Sequence, residues 1–185
     1  MSLKLNTASG GSITLQEADT ASNLTATLPA STGTVMVSGN MPAFSAYQNS
    51  AGVQTVANNT FTKVTLNTEE FDTANCFDST TNYRFTPNVA GYYQINFGIS
   101  FSGSTVTGWV SAYIWKNGSA YKFALGTYQS ATGNGGTVAS TLVYCNGSTD
   151  YIEFYTYQST GASQPTTGSN AGTGVWVNGV LVRAA

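Results

Sequence analysis

The chain has 185 residues, with six Lys and Arg against eight Asp and Glu, a net charge of −2 and no histidine. Charged residues are 8% of the total, against about 25% in a typical soluble protein, so Thr, Ser, Asn, Gln and Gly must cover the surface. That balance gives no electrostatic basis for binding nucleic acid or an anionic membrane. Aromatic residues reach 12%, which argues against a disordered chain, and no apolar run approaches the roughly 18 residues that span a bilayer.

Residues 1–41 contain no aromatic residue. Short strand-like pieces at 3–5, 12–15, 24–28 and 34–37 are separated by the turn residues Gly10-Gly11, Asp19, Pro29 and Gly33. They hold too little apolar bulk for an independent core. The region is therefore expected to be a short, extended, β-rich arm that buries its side chains on something else. The start of the chain shows no signal-peptide apolar core, which leads us to expect assembly in a host cytoplasm. Two unconnected reduced thiols at Cys76 and Cys145 suit that compartment. Pairing of the two is a question of geometry, and sequence does not decide it.

Aromatics begin after Met41-Pro42. Segments 44–47 and 61–66 are expected to be strands. Glu69-Glu70-Phe71-Asp72 and Cys76-Phe77-Asp78-Ser79 are expected in a loop-rich stretch. Then Tyr93, Ile95, Phe97, Ile99 and Phe101 alternate with Gln94, Asn96, Gly98 and Ser100. Five apolar residues at period two predict one long strand with a single buried face. Segment 109–115 differs: Trp109, Tyr113 and Trp115 share one face, and Val110, Ala112 and Ile114 share the other. Both faces are apolar, so both should be covered, and the second is expected to meet a neighbouring subunit. Lys116-Asn117-Gly118-Ser119 predicts a type I′ hairpin turn. Strands are expected at 121–128, 137–144, 150–157 and 174–182, with Ile152 and Phe154 inward and Tyr151, Tyr155 and Tyr157 on the opposite face. Gly133-Asn134-Gly135-Gly136 and residues 161–174 are expected to be loops, placed to touch a receptor. About ten strands at these spacings predict an all-β, two-sheet sandwich.

The absence of histidine removes the usual general base and any Ser-His-Asp or Cys-His arrangement. Two thiols without histidine do not make a structural zinc site. Glu69, Glu70, Asp72 and Asp78 read first as solvated polar surface; a calcium site there, or with Asp150, is the oxygen-ligand alternative. No other cofactor is expected, and no enzyme activity. The aromatic residues Trp109, Tyr113, Trp115, Tyr155 and Tyr157 are candidates for a subunit interface, where Trp and Tyr are the usual anchors; stacking on a sugar ring is the alternative use.

Phe77-Asp78-Ser79 followed by Phe85-x5-Gly91-x-Tyr93-x-Ile95-x-Phe97, then Lys116-Asn117-Gly118, the start of a strand at Asp150-x-Ile152 and the closing Val177-Asn178-Gly179-Val180-Leu181, resemble the globular head of the complement one-q family. That family is a jelly roll of the tumour-necrosis-factor-like kind. The likeness covers residues 42–185 and implies a compact homotrimer with aromatic residues on its axis. Residues 11–15 and 19–35 resemble a segment of bacteriophage fibre and other virion proteins that often stands just upstream of a trimeric head. Together these imply a non-enzymatic bacteriophage virion structural protein: a homotrimeric jelly-roll knob (42–185) docked by its arm (1–41) to the major capsid protein or another virion protein. The reading is a capsid decoration (cement) or head-fibre protein. The alternative is a tail-fibre or receptor-binding tip that holds a glycan of the host surface. A secreted lectin or cytokine-like ligand conflicts with the missing signal peptide.

Overall fold

The computed structural model describes residues 2–16, 25, 30, 35–37, 39, 41–102, 108–129 and 134–185. The chain divides into two compact units, Met1–Gly33 and Thr34–Ala185. Residues 34–41, read above as the end of the arm, thus fall in the second unit. Met36 is packed in part against the second unit's core.

In the first unit, β1 (Ser2–Asn6) and β2 (Ser12–Gln16) form an antiparallel hairpin in which Leu5 faces Ile13. Gly10 turns it at a positive φ of 84°. Residues opposite each other in such a pair share a face, so Leu5 and Ile13 lie side by side, and both are exposed. A lone two-stranded hairpin is marginal in water. The strand expected at 24–28 lies outside the described residues except for Thr25, and residues 35–37 are not in a strand.

The second unit contains β3 (Ala43–Tyr47), β4 (Thr55–Val56), β5 (Thr62–Lys63), β6 (Thr68–Asp72), β7 (Phe77–Asp78), β8 (Arg84–Phe85), β9 (Gly91–Ser102), β10 (Gly108–Lys116), β11 (Ser119–Gln129), β12 (Asn134–Cys145), β13 (Ile152–Gln158), β14 (Gln164–Pro165) and β15 (Trp176–Ala184). Hydrogen bonding runs β6-β3-β15-β9-β12 in one layer and β11-β10-β13-β8-β7 in the other, with β5 also on β13. Among the described residues, the hydrogen-bonded ladder passes from one layer to the other where Tyr128 and Gln129 of β11 pair with Gly135 and Asn134 of β12. β14 and β4 make a separate two-stranded sheet.

The layers close face to face over a core of large, fully buried side chains, among them Phe44, Phe85, Tyr93, Ile95, Phe97, Phe101, Ile114, Ile152, Phe154 and Leu181. Phe97 of β9 meets Phe154 of β13 with ring centroids 5.3 Å apart, and Phe44 of β3 stacks on Phe85 of β8 at 4.4 Å. These rings bridge the layers. All five alternating residues from Tyr93 to Phe101 are buried, as their period requires. The Asn117-Gly118 turn forms with φ of 52° and 75° and pairs Lys116 with Ser119, as type I′ chemistry dictates.

Several expectations are corrected. Residues 69–72 are strand, not loop: β6 pairs with β3 as an edge of the sheet, where charged side chains are usual. Of 61–66, only Thr62–Lys63 is strand. Beyond it the backbone N–H of Thr65 donates to the Gln54 side chain at 2.8 Å, so that amide leaves the ladder. Residues 134–136 belong to β12, while Gly133 lies outside the described residues. A Cβ at Gly136 would stand 2.5 Å from the Ile99 carbonyl oxygen, so the glycine there admits a close strand, not a mobile turn. The 161–174 segment is not simply an outer polar loop either. It contains β14 and turns Gln164 and Thr166 into the protein, where Thr166 donates to the Gln48 side chain.

Candidate functional site

The alternation of β10 places Val110, Ala112 and Ile114 in the core and Trp109, Tyr113 and Trp115 on the outside of the layer, as expected. What covers that outer side is in part the chain itself. Phe61, just before β5, packs edge-on against Tyr113 at 4.9 Å and Trp115 at 5.8 Å, and tilts over Tyr157 at 5.1 Å. Trp115 stacks on Tyr155 at 4.1 Å. Burial pushes the phenols of Tyr113 and Tyr155 above their usual range. The structure thus brings all of Tyr113, Trp115, Tyr155 and Tyr157 into one aromatic cluster roofed by Phe61, and leaves Trp109 outside it. A strand with two apolar faces did not require a neighbouring copy over its whole length, because Phe61, just before β5, supplies a local cover.

The uncovered part consists of the outer side of Phe61, itself 47% exposed, and of residues on β10 and β11. Trp109 is 53% exposed, Phe123 60% and Leu125 52%, with Tyr121 beside them. Register puts Phe123 opposite Tyr113 and Leu125 opposite Ser111, so these residues share the outer face. Tyr113 and Phe123 stack at 4.9 Å, which ties the exposed patch to the roofed cluster.

A second uncovered face, missed in the sequence, lies on the outside of the other layer. Tyr92, Val138, Leu142, Tyr144, Val180 and Val182 are each at least 41% exposed. Cross-strand register arranges the face in rows. Tyr92 and Tyr144 pair at one end, Val180, Gln94 and Leu142 form the next row, and Trp176, Gly98 and Val138 close the other end. Between the last two runs a polar row, Asn178, Asn96 and Ser140. The signal that could have found this face was present: Val180-Leu181-Val182 and Leu142-Val143-Tyr144 are apolar on both sides of their strands, as is 109–115.

The carboxylates are engaged in local structure. Asp72 accepts from the backbone N–H groups of Ala74 and Phe77. Asp78 accepts from the N–H groups of Thr80, Thr81 and Asn82, and those bonds hold it well below the usual carboxylate range. Glu70 accepts from Ser45, and Glu69 from Ser79. Asp150 takes hydrogen bonds from Asn117 and from the Asn146 backbone and an ion pair from Lys116 at 2.9 Å; the Asn117 bond, then Lys116, lowers its pKa. Among the described residues no three His, Cys, Asp or Glu side chains gather as metal ligands. Cys76 and Cys145 are buried and unpaired, and burial raises both thiols, that of Cys145 to about 11. Neither is an activated nucleophile.

No family model matches the sequence, and no curated protein matches it. Solved structures do match the fold. The Eiger tumour necrosis factor of S. frugiperda is 9% identical, with a TM-score of 0.58 over 79% of this chain and 95% of that one. Murine APRIL is 10% identical, with a TM-score of 0.56 over 77% and 99%. The PRD1 vertex protein P5 is 17% identical, with a TM-score of 0.56 over 77% and 97%. The chain is an all-β, tumour-necrosis-factor-like jelly roll.

Proposed function

We propose that this chain is a non-enzymatic structural component of a bacteriophage virion. It is a homotrimeric knob that decorates or cements the capsid, or forms a head fibre, and it docks through residues 1–41. The observation that carries this reading is the pair of unlike apolar faces, one on each layer, that the described chain leaves open. Aromatic side chains carry about 150–250 Å² each, so half-exposed Trp109, Tyr121 and Phe123 with Leu125 offer roughly 400 Å². The Tyr92–Leu142–Val180 face offers a similar area. A standard interface takes about 800 Å² per partner; each face meets a different neighbour, so these apolar residues supply about half of each interface and the polar residues around them supply the rest. Unlike faces suit a heterologous contact, in which each copy gives one face to one neighbour and the other face to the next, and a closed ring satisfies all of them.

The complement one-q-like motifs, with the trimer they imply, support the number three. The fold shared with the PRD1 vertex protein supports a virion role, as do the fibre-like stretches at 11–15 and 19–35. In the docking hairpin, Leu5, Ile13 and Leu15 are all exposed, which fits an element that buries its apolar side on another virion protein.

Labelling the protein in purified particles tests the location. Copies at symmetry positions of the capsid are expected. Copies confined to the tail, together with binding of the isolated protein to host cells, would replace this reading with the receptor-binding tip.

A further inference from the structure

We propose that the polar row crossing the β15–β9–β12 face sets the register between copies, so that the row, rather than the apolar residues around it, selects one assembly. This rests on the self-association proposed above. The row is a directed chain of hydrogen bonds. Gln94, from the neighbouring row, enters it: its Nε2 donates to Ser140 Oγ at 2.9 Å and to Asn96 Oδ1 at 3.3 Å, Ser140 Oγ donates to Asn96 Oδ1 at 2.7 Å, and Asn96 Nδ2 donates to Asn178 Oδ1 at 2.8 Å. Among the described residues, the side-chain NH₂ of Asn178 donates to nothing and Gln94 Oε1 accepts nothing. The row therefore ends in an unmet donor on one side and an unmet acceptor on the other.

Water satisfies both ends while the face is open. When an apolar surface closes over Leu142, Val180 and Val138, that water leaves, and each unmet group carries its desolvation cost. Sliding the partner along the apolar rows changes little in buried area. It changes everything for the two ends of the polar row, because only one alignment supplies an acceptor to Asn178 and a donor to Gln94. A polar position inside an apolar contact fixes register in this way elsewhere, at some cost in affinity.

The occupant is a second copy, because the chain's other open face matches this one in exposed apolar area and in its near lack of formal charge. The Trp109 indole N–H is a donor and the Tyr121 hydroxyl is both donor and acceptor; neither has a hydrogen-bond partner among the described residues. Both stand in the exposed β10–β11 patch. The row itself is uncharged, as is the patch that would meet it, apart from Lys122 at its margin.

The test compares native masses of the full chain, wild type against Asn96→Leu and Ser140→Ala, with circular dichroism to establish that each variant is folded. Asn96→Leu keeps the apolar rows and removes the middle of the chain of bonds. Ser140→Ala removes one hydroxyl at an exposed position and is the variant to read if Asn96→Leu does not fold. Wild type is expected as a single associated mass. Both variants are expected to associate still but to spread over several masses, with off-stoichiometry species raised about fivefold, the population ratio that the loss of one ordinary hydrogen bond produces. Folded variants with the single wild-type mass would overturn the inference and leave the trimer standing. Folded variants that no longer associate would overturn it too, since the row would then supply affinity and not register. A monomeric wild type would overturn both this inference and the reading beneath it.

Discussion

The layer built on β10 and β13 and the layer built on β9, β12 and β15 share one core and differ in what lies behind them. Behind β13, Phe61 of the same chain closes over Tyr113, Trp115 and Tyr157. Behind β9, no described segment crosses the rows of Leu142 and Val180, and those residues stay open. The contrast separates two meanings of the same sequence pattern. A strand that is apolar on both faces demands cover, but the pattern does not say whether the cover comes from the next strand or the next molecule. Only exposure in the folded chain distinguishes them: the rings of Trp115 and Tyr155 cover each other, whereas Trp109, Phe123, Leu142 and Val180 stay exposed.

The largest effect is expected where the two layers meet. Phe97→Ala removes a fully buried ring from the contact with Phe154 and should cost about 3–5 kcal/mol, measured by denaturant unfolding. A loss below about 1 kcal/mol would mean that the layers do not share this core. Next, substitutions on the open faces should separate association from folding. Trp109→Asp or Leu142→Asp should abolish the assembled species in sedimentation while leaving the unfolding midpoint of the monomer within experimental error. A drop in monomer stability comparable to that of Phe97→Ala would show these positions to be core. The roofing ring should fall between: Phe61→Ala removes three aromatic contacts worth about 0.5–1.5 kcal/mol each, so it should lower monomer stability by less than Phe97→Ala does and leave association intact. If Phe61→Ala instead dissociated the assembly, the β13 side would be an interface after all.

The smallest effect concerns acid. Asp150 is held below its ordinary pKa by Asn117 and Lys116, and Asp78 by the amides of Thr81 and Thr80. A carboxylate with a depressed folded pKa contributes stability that is complete above the unfolded value, about 3.9, and is lost as pH falls through the folded value. Stability should therefore be flat from neutral pH to about pH 4 and decline below it. Asp150→Asn should flatten part of that acid limb without changing which face associates. An unaltered acid limb in that variant would remove Asp150 from the account.

Much of this fold can be read in the residues. The period of Tyr93 to Phe101 defines β9, and Asn117-Gly118 defines the turn after β10, because both signals are local and neither depends on a distant partner. Other parts are illegible for physical reasons. Glu69 and Glu70 look like loop because charge is rare in strands, yet an edge strand tolerates it. Asn134-Gly135-Gly136 looks like a loop because the close approach of β9 that requires Gly136 lies more than thirty residues away in sequence. The position of Phe61 over the aromatic cluster follows from the pairing of Lys63 with Tyr155, which no local pattern announces. The candidate site divides the same way. Trp109 and Tyr113 stand out by their size and spacing. The face of Leu142, Val180 and Asn96 needs three strands from distant parts of the chain before it exists.

The central claim is that one copy leaves too much apolar surface open to remain alone. Native mass spectrometry of the full chain at micromolar concentration tests it most directly. The account predicts a single species at three times the 19.3 kDa chain mass. A stable species at the mass of one chain, with Trp109 and Leu142 both accessible to solvent, would contradict it.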